Sequence, residues 1–470
     1  SSAGSDVARG HSEDCYDLSF VTTQIEEFWS HSWHGSSWAK IIVLLLHYNK
    51  GAGFVGSLCG VLIGTLLDFW LILGNEFFDL VSLKFGWSRQ HYEDMETYQF
   101  FIYENSGLGV LMGCLGFVLG VVFWPSRRSV FLDKLCISQT DASLKMEGIT
   151  SIGGFLRYSD CLLILWDPTY FTRLWCTLEL TGFAFLQKLC RRKQILVRPT
   201  FQGLFVVFGF ASSMLYFFFS RIVVKLCKPF SHHHVVWILY FLILPPVWIF
   251  CMISRRVARD VAAVSQQLKD FSFRRAECFC CSCNHRHPDS GNEIACDRLK
   301  VESAVESWFG SIEMAEQILR DRILPNFSIQ LGLPYRKACL VGLPYFWQSI
   351  DRSGWIFLTG RATNQMLDRC MMSPAQSLLH GLNTTVFVMP VVFEACIFMS
   401  VYFREQDPNR FKDALRSFFA AFCGTIAMVL LFSTYNVTAN CLGCGWTSLL
   451  VDTVIFGSLT ALVYRGRMWA

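Results

Sequence analysis

Residues 160–189, DCLLILWDPTYFTRLWCTLELTGFAFLQKL, join a short apolar run to a helix pattern. The run DCLLILWD (160–167) has the length of a strand and is apolar almost throughout, which is typical of a strand buried on both faces of a sheet. LWCTLELTGFAFLQKL (174–189) has helical periodicity and carries one acid, Glu179. A buried strand followed by a helix predicts one β–α step of a parallel sheet.

The segments on either side continue this alternation. SVFLDKLCI (129–137) and QILVRP (194–199) are strand-like, and 143–159 has apolar residues at helical spacing. Strands that alternate with helices predict a parallel sheet with crossover helices.

A further strand comes from the N-terminal part of the chain. IEEFWSHSW (25–33) is strand-like, and a serine cap and a helix pattern follow over 36–49. We therefore expect a small α/β domain of the flavodoxin-like, parallel-sheet class, formed by 25–50 and 125–203 and split by an insertion.

The rest of the chain has the composition of a membrane protein. Of its 470 residues, 53% are apolar and only 17% are charged, below the roughly 25% charged residues of soluble domains. Seven runs approach the roughly 20 apolar residues that cross a bilayer. They are 51–74, 107–124, 204–220, 235–254, 384–403, 414–435 and 446–464. The fold class is thus predicted to be a mostly α membrane protein with seven transmembrane helices.

An eighth candidate span, 339–360, has Asp351 and Arg352 at its centre. These charges favour an interfacial or re-entrant segment. The distribution of positive residues favours a span, because eight crossings return Arg465 and Arg467 to the side of the other basic loops. Seven and eight membrane crossings therefore both remain open.

Charge also predicts the orientation. The stretch 125–203 is rich in Lys and Arg, whereas 75–98 is net acidic, so 125–203 is predicted to be cytosolic. Counting crossings then places the N-terminal segment and 255–338 in the cytosol of this integral membrane protein. The predicted segments are a polar tail (1–24), the split α/β domain (25–50 and 125–203), two transmembrane hairpins (51–124 and 204–254), a juxtamembrane Cys/His module with an amphipathic helix (255–338), the interfacial segment (339–383) and three C-terminal transmembrane helices (384–464).

Three ordered stretches of the α/β domain resemble a known family. VFLDKLCISQTD, FLRYSDCLLILW and YFTRLWCTLEL are similar to the core of Toll/interleukin-1 receptor (TIR) domains and their heterokaryon-incompatibility (HET) relatives, and FWSHSW resembles the opening strand of that family. The arrangement as a whole resembles multi-pass membrane families of dinoflagellate algae.

The resemblance implies a site. In catalytically active TIR domains the glutamate of this helix matches Glu179, and the family chemistry is cleavage of the nicotinamide–ribose bond of NAD, whose oxocarbenium-like transition state a carboxylate can stabilise. Ligands of parallel sheets bind beyond the carboxyl ends of the strands. The implied NAD cleft is lined by Ser30, His31, Ser32, Asp133, Trp166 and Tyr170. Two alternatives stay open: Glu179 is a helix acid favoured by the macrodipole, or the domain serves assembly, as many relatives do.

A cysteine–histidine cluster follows in ECFCCSCNHRHPDSGNEIACDR (277–298). Its candidate metal ligands are Cys278, Cys280, Cys281, Cys283, His285, His287 and Cys296. Zinc takes four such ligands in a tetrahedron, and a structural zinc site is predicted here. Palmitoylation of the cysteines and unengaged thiols are the alternatives.

These features favour a membrane protein for signalling or assembly, with NAD cleavage at Glu179 as a further activity. One alternative is a channel or transporter regulated by its cytosolic domain, since Asp68, Glu394 and Asp452 lie in predicted spans. Another is a non-catalytic membrane scaffold. The expected partners are the lipid bilayer and a second copy of the chain bound through the α/β domain. Nucleic acid is not expected, because the chain has no basic–aromatic array.

Overall fold

The computed structural model describes residues 15–86, 107–189, 192–226, 232–286, 291, 293–294, 296–323, 329, 331–360, 374–442 and 446–466. Some predictions concern residues outside these ranges, namely His287, positions 1–14 of the tail and positions 361–373 of the interfacial segment. The described residues are mostly helical and contain one small sheet, as expected from the composition.

Strands and helices alternate in the first half of the chain, and helices make up the second half. The strands are β1 (Ile25–His31), β2 (Val130–Phe131), β3 (Ser159–Trp166) and β4 (Gln194–Pro199). The helices are α1 (Ser37–Gly86), α2 (Leu108–Phe123), α3 (Asp133–Cys136), α4 (Ala142–Thr150), α5 (Ile152–Tyr158), α6 (Leu174–Leu189), α7 (Thr200–Leu226), α8 (His232–Lys269), α9 (Phe279–Ser282), α10 (Asp297–Phe309), α11 (Ile312–Ile318), α12 (Tyr335–Gly360), α13 (Pro374–Asn383), α14 (Met389–Tyr402), α15 (Arg410–Leu442) and α16 (Trp446–Gly466).

The sheet is parallel throughout, with the strand order β2-β1-β3-β4. Phe28 of β1 pairs with Phe131 of β2 on one side and with Leu162 of β3 on the other. Leu162, Leu163 and Ile164 are fully buried. Since consecutive side chains of a strand point to opposite faces, β3 is covered on both faces. This confirms the parallel sheet predicted from the apolar run 160–167.

One strand is much shorter than its sequence suggests. The stretch 129–137 was predicted to be a strand, but only Val130 and Phe131 pair with β1, and α3 begins two residues later. The reason is Asp133, whose Oδ1 accepts from the N–H of Lys134 and whose Oδ2 accepts from Trp33 Nε1, both at 2.8 Å. These two bonds turn the chain out of the sheet after Phe131.

Contacts divide the chain into two compact units. The described residues of 1–43, 126–201 and 260–329 form the sheet unit, and the remaining described residues form the helical unit. Residues 260–329 include the Cys/His module, which the sequence set apart from the α/β domain. In the structure they share one unit with the sheet.

Helix α10 packs closely against two helices of the sheet unit. A Cβ atom added to Gly153 of α5 or to Gly182 of α6 would lie 2.7 Å or 3.0 Å from the ring of Trp308. The neighbouring Phe309 packs edge-on against Phe185, and α10 ends at Gly310 in the left-handed conformation (φ 85°). The amphipathic segment 297–324 is therefore a helix pair with a glycine break.

The helical unit contains the apolar helices. Within the described residues, six helical segments are long and apolar enough to cross a membrane, and the shorter apolar helix α2 accompanies them. The six are 37–68, 200–223, 241–264, 374–402, 410–431 and 446–465. A multi-pass membrane protein is compatible with this set.

Helices α1 and α2 form a tight pair. A Cβ atom on Gly60 would lie 2.1 Å from the carbonyl oxygen of Met112, and Gly56 and Gly64 meet the backbone of α2 at 2.4 Å. Glycines four residues apart line one helix face and allow this approach. The helix pattern at 36–49 and the apolar run at 51–74 belong to one continuous helix that begins at Ser37. No proline interrupts it.

Helix α12 contains the uncertain eighth span and packs among the apolar helices. Trp347 is fully buried, lies against Phe117 and Phe210, and its Nε1 donates to Ser57 Oγ at 3.2 Å. Asp351 is also fully buried. These contacts reach helices α1, α2 and α7.

Candidate functional site

Glu179 lies on the second turn of α6, where the helix packs against the carboxyl end of β1. Its Oε2 accepts a hydrogen bond from Ser30 Oγ at 2.6 Å, and Ser30 Oγ lies 2.6 Å from the Tyr170 hydroxyl. Tyr170 also donates to the carbonyl oxygen of Cys176 at 3.3 Å. Ser30 and Tyr170 are fully buried, and Glu179 is 9% exposed. The three side chains form one buried chain of hydrogen bonds.

Burial sets the protonation of this chain. It raises the pKa of Glu179 to about 8; the hydrogen bond from Ser30 opposes the shift and the charge of Asp133 adds to it. Burial also raises the pKa of Tyr170 well above its usual range. At neutral pH the Glu179 carboxyl is therefore mainly protonated, and the network is neutral.

The remaining cleft candidates lie around the same end of the sheet. Ser32 Oγ is 2.7 Å from Thr169 Oγ1, and the carbonyl oxygen of His31 accepts from the Cys176 thiol at 3.3 Å. Asp133 binds Trp33. Trp166 is fully buried, and its Nε1 has no hydrogen-bond partner among the described residues. Of the predicted residues, Ser30 hydrogen-bonds to Glu179 directly, and Tyr170 is linked to it through Ser30.

Two polar groups at this end were not predicted. Lys40 Nζ donates to the carbonyl oxygens of Ser32 and Gly35, which ties α1 to the loop after β1. Asp167 accepts from the backbone N–H of Thr169 at 2.8 Å and from its hydroxyl. The D-P-T order is a recognisable turn signal, whereas no local pattern marks Lys40.

Gly35 is required by the position of Asp167. A Cβ atom on Gly35 would lie 2.0 Å from Asp167 Oδ2, an oxygen that is buried and has no hydrogen-bond partner among the described residues. The loop after β1 therefore closes directly onto the loop after β3. Gly35 allows this close contact because it carries no side chain.

A second candidate site is the cysteine–histidine cluster. The ligand atoms of Cys280, Cys281, His285 and Cys296 all lie within 4.8 Å of one another. Cys280 Sγ is 3.9 Å from Cys281 Sγ, which is 3.8 Å from His285 Nε2. A tetrahedral zinc ion at about 2.3 Å from its sulfur ligands separates them by roughly 3.8 Å. This part of the chain can hold a metal ion.

The backbone between the ligands is folded to bring them together. Asn284 and His285 adopt positive φ values of 50° and 55°, a conformation uncommon for residues other than glycine. They reverse the chain after α9, and the His285 N–H donates to the Cys280 carbonyl at 2.8 Å. An antiparallel bridge between Arg286 and Glu293 then returns the chain towards Cys296.

The other predicted ligands have different positions. Cys278 Sγ is 3.2 Å from Cys280 Sγ, too close for two sulfurs of one tetrahedron, and the Asp297 N–H donates to Cys280 Sγ at 3.2 Å. Both therefore act as hydrogen-bond partners of a ligand sulfur. Among the described residues, Cys278, Cys280 and Asp297 form a second group whose ligand atoms lie within 4.8 Å of one another, and Cys283 belongs to neither group.

The cluster is joined to the helix that carries Glu179. Glu277, one residue before Cys278, donates its N–H to the Thr172 carbonyl at 2.7 Å and accepts from the Leu174 N–H at 3.1 Å. Its carboxylate pairs with Arg173 at 3.2 Å. The two candidate sites thus share one structural element, the start of α6. No protein-family model, curated protein or solved structure matches the chain.

Proposed function

We propose that the chain is a multi-pass membrane protein whose sheet unit is a TIR/HET-like signalling module that acts by assembly. The observation that carries this proposal is the buried hydrogen bond of Glu179 with Ser30, which in turn bonds to Tyr170. A neutral carboxyl that is already hydrogen-bonded inside the domain holds β1 and α6 together. It is not an exposed anion prepared for a substrate.

The strand order supports the fold assignment. The order β2-β1-β3-β4 corresponds to the first four strands of the flavodoxin-like order 2-1-3-4-5. A TIR/HET relationship accounts for this order and for the position of Glu179 on the helix after β3. The module associates with a second copy of the chain.

Crosslinking of the reconstituted protein tests assembly. Unlabelled and ¹⁵N-labelled chains are mixed in vesicles and treated with a lysine crosslinker, and mixed-isotope peptides report contacts between copies. Lys134 and Lys145, exposed on the sheet unit, are expected in such peptides. The proposal would be contradicted if no crosslink between copies involved the sheet unit. It would also be contradicted if the protein stayed monomeric at every protein density in the vesicles.

NAD cleavage is the second candidate, favoured by the position of Glu179 beside the carboxyl end of β1. Nicotinamide release is followed for wild type, Glu179→Gln and the exposed control Glu147→Gln at high protein density. If nicotinamide release is lost in Glu179→Gln but not in Glu147→Gln, NAD cleavage at Glu179 is established. Equal inactivity of all three, together with crosslinks through the sheet unit, supports assembly alone.

The helical unit supports eight crossings. Arg255, near the end of α8, is 1% exposed and donates to the carbonyl oxygen of Phe403 at 2.6 Å and to the carboxylate of Asp413 at 2.7 Å. This contact supports a topology in which the end of α8 and the α14–α15 loop lie on one side of the membrane. Only a crossing by α12 allows this. From the positive-inside rule, that side is the cytosol.

The metal site is proposed to be structural zinc bound by Cys280, Cys281, His285 and Cys296. Three sulfurs and one imidazole are a ligand set that zinc prefers, and all four positions are filled by the protein. Elemental analysis is expected to return one zinc per chain. In the alternative, lipidation of these cysteines, the same protein would carry acyl groups and no stoichiometric metal.

A further inference from the structure

A basic cavity lies at one end of the helical unit. It has a volume of about 530 Å³, within the roughly 300–1,000 Å³ typical of small-ligand sites. Its walls come from the last turns of the apolar part of α8, the loop 403–409 and the first turns of α15. Four arginines line it: Arg255, Arg256, Arg259 and Arg410.

Arg255 fixes the shape of this cavity. Besides Phe403 and Asp413, its guanidinium binds the carbonyl oxygen of Glu405 at 2.9 Å and Ser417 Oγ at 2.5 Å. These bonds hold the loop and the start of α15 against α8. The buried Arg255 side chain therefore holds together the elements that form the cavity, whereas Arg256 and Arg410 line it from the exposed surface.

The acids in the cavity wall already have cationic partners. Asp413 pairs with Arg255 at 2.7 Å, and Asp407 pairs with Arg416 at 3.4 Å. Arg259 uses one nitrogen to bind the carbonyl oxygen of Arg404, a neutral group. Arg259 has no ion pair of its own among the described residues, although its charge also acts on Asp413.

Two further arginines are available at the rim. Among the described residues, Arg256 and Arg410 have no hydrogen-bond or ion-pair partner. Together with Arg259 they give the cavity an excess of positive charge and several free N–H groups. Guanidinium groups match phosphate oxygens with paired hydrogen bonds, and such pairs are stronger than neutral ones.

We propose that this cavity binds a phosphate-bearing anion, with Arg256, Arg259 and Arg410 as the direct contacts. The helical segments 241–264 and 410–431 both reach it, which places the cavity at the level of lipid headgroups if these segments cross the membrane as proposed. An inositol phospholipid headgroup and a soluble inositol phosphate share the chemistry that the cavity recognises. The position of the cavity near the headgroups favours the phospholipid over the soluble inositol phosphate.

Binding is tested with the full chain in nanodiscs. One preparation contains phosphatidylcholine only, and a second adds phosphatidylinositol bisphosphate; retained lipid is quantified by native mass spectrometry. Inositol trisphosphate and inorganic phosphate are titrated onto the phosphatidylcholine preparation. The variant Arg256→Gln with Arg410→Gln removes the two rim charges and leaves the Arg255 contacts intact. Arg157→Gln with Arg192→Gln removes two exposed charges elsewhere and is the matched control.

The rim variant is expected to bind the phospholipid about 30-fold more weakly, since each arginine near a bilayer contributes about 1 kcal/mol. Retention of the lipid by wild type and control supports a lipid site. Equal binding of inositol trisphosphate supports the same site with a soluble ligand. No binding of any probe, or equal binding by the rim variant, would overturn the proposal. The soluble probes report on the cavity even if the proposed topology is wrong.

Discussion

The backbone N–H of Leu174 donates to the carbonyl oxygen of Glu277 at 3.1 Å, so the first residue of α6 is bound to the residue that precedes the cysteine–histidine cluster. The N–H of Glu277 returns a bond to Thr172. Folding of the cluster and of the Glu179 helix is therefore coupled through two backbone hydrogen bonds. Metal at the cluster should stabilise both.

Removal of the metal is expected to loosen the start of α6. Cys280→Ser with Cys296→Ser deletes two of the four proposed ligands. Hydrogen exchange at the amides of Leu174 and Glu277 should accelerate about fivefold, because each amide loses a bond worth about 1 kcal/mol. Exchange is measured by mass spectrometry. Cys283→Ser is the control, and acceleration there of the same size would contradict the assignment.

Glu179→Gln is expected to keep the stability of the sheet unit within about 1 kcal/mol, because an amide resembles the protonated carboxyl and can bond to Ser30. Glu179→Ala leaves the buried Ser30 hydroxyl without its bond to the carboxyl and should cost about 1–3 kcal/mol. Thermal unfolding of the purified chain provides the comparison. If the Gln variant is as unstable as the Ala variant, the carboxyl is ionised and the proposed neutral network is wrong.

Stability should also depend on pH through Glu179. Its pKa is about 8 in the folded chain and near 4.5 ordinarily, so between these values the folded state holds a proton that the unfolded state has released. The contribution of this group is fully present below about pH 4.5 and is lost as pH rises through about 8. The unfolding temperature of Glu179→Gln should therefore rise relative to wild type over this interval. Glu147→Gln should show no such trend.

The glycine face of α1 gives a prediction with an internal control. Alanine is favoured over glycine by about 1 kcal/mol in a helix interior. At Gly51, where an added Cβ meets nothing within 4 Å, alanine should be neutral or stabilising. At Gly60 the added Cβ would lie 2.1 Å from the Met112 carbonyl oxygen, so alanine must separate α1 from α2 and lower the unfolding temperature. Equal effects at both positions would show that the two helices are not in close contact.

The regular part of the sheet can be predicted from sequence because its signals are local. Strand β3 is a consecutive apolar run, and α6 and β4 match their predicted ranges residue for residue. The end of β2 depends on a bond between Asp133 and Trp33, a hundred positions apart. No window of sequence contains such a contact.

In the candidate sites, too, local sequence signals were predictable and long-range contacts were not. The spacing of cysteines and histidines predicts a metal cluster, but the choice of Cys281 over Cys278 depends on the reversed chain at Asn284. The contact of Ser30 with Glu179 joins residues 149 positions apart, and only the family resemblance suggested that they are neighbours. The basic cavity was missed because its arginines come from two segments about 150 positions apart, Arg255 to Arg259 and Arg410.

The eight-crossing topology is expected to place both ends of the chain on the same side of the membrane. An arginine side chain is far shorter than the roughly 30 Å hydrocarbon core, so Arg255 can bind Asp413 only if both lie at the same face. Epitope tags at the two termini should be accessible to protease from the same side, and a tag inserted within 361–373 from the other. Seven crossings instead put the C-terminal tag opposite the N-terminal one, and that result would require α12 to remain on one side of the bilayer.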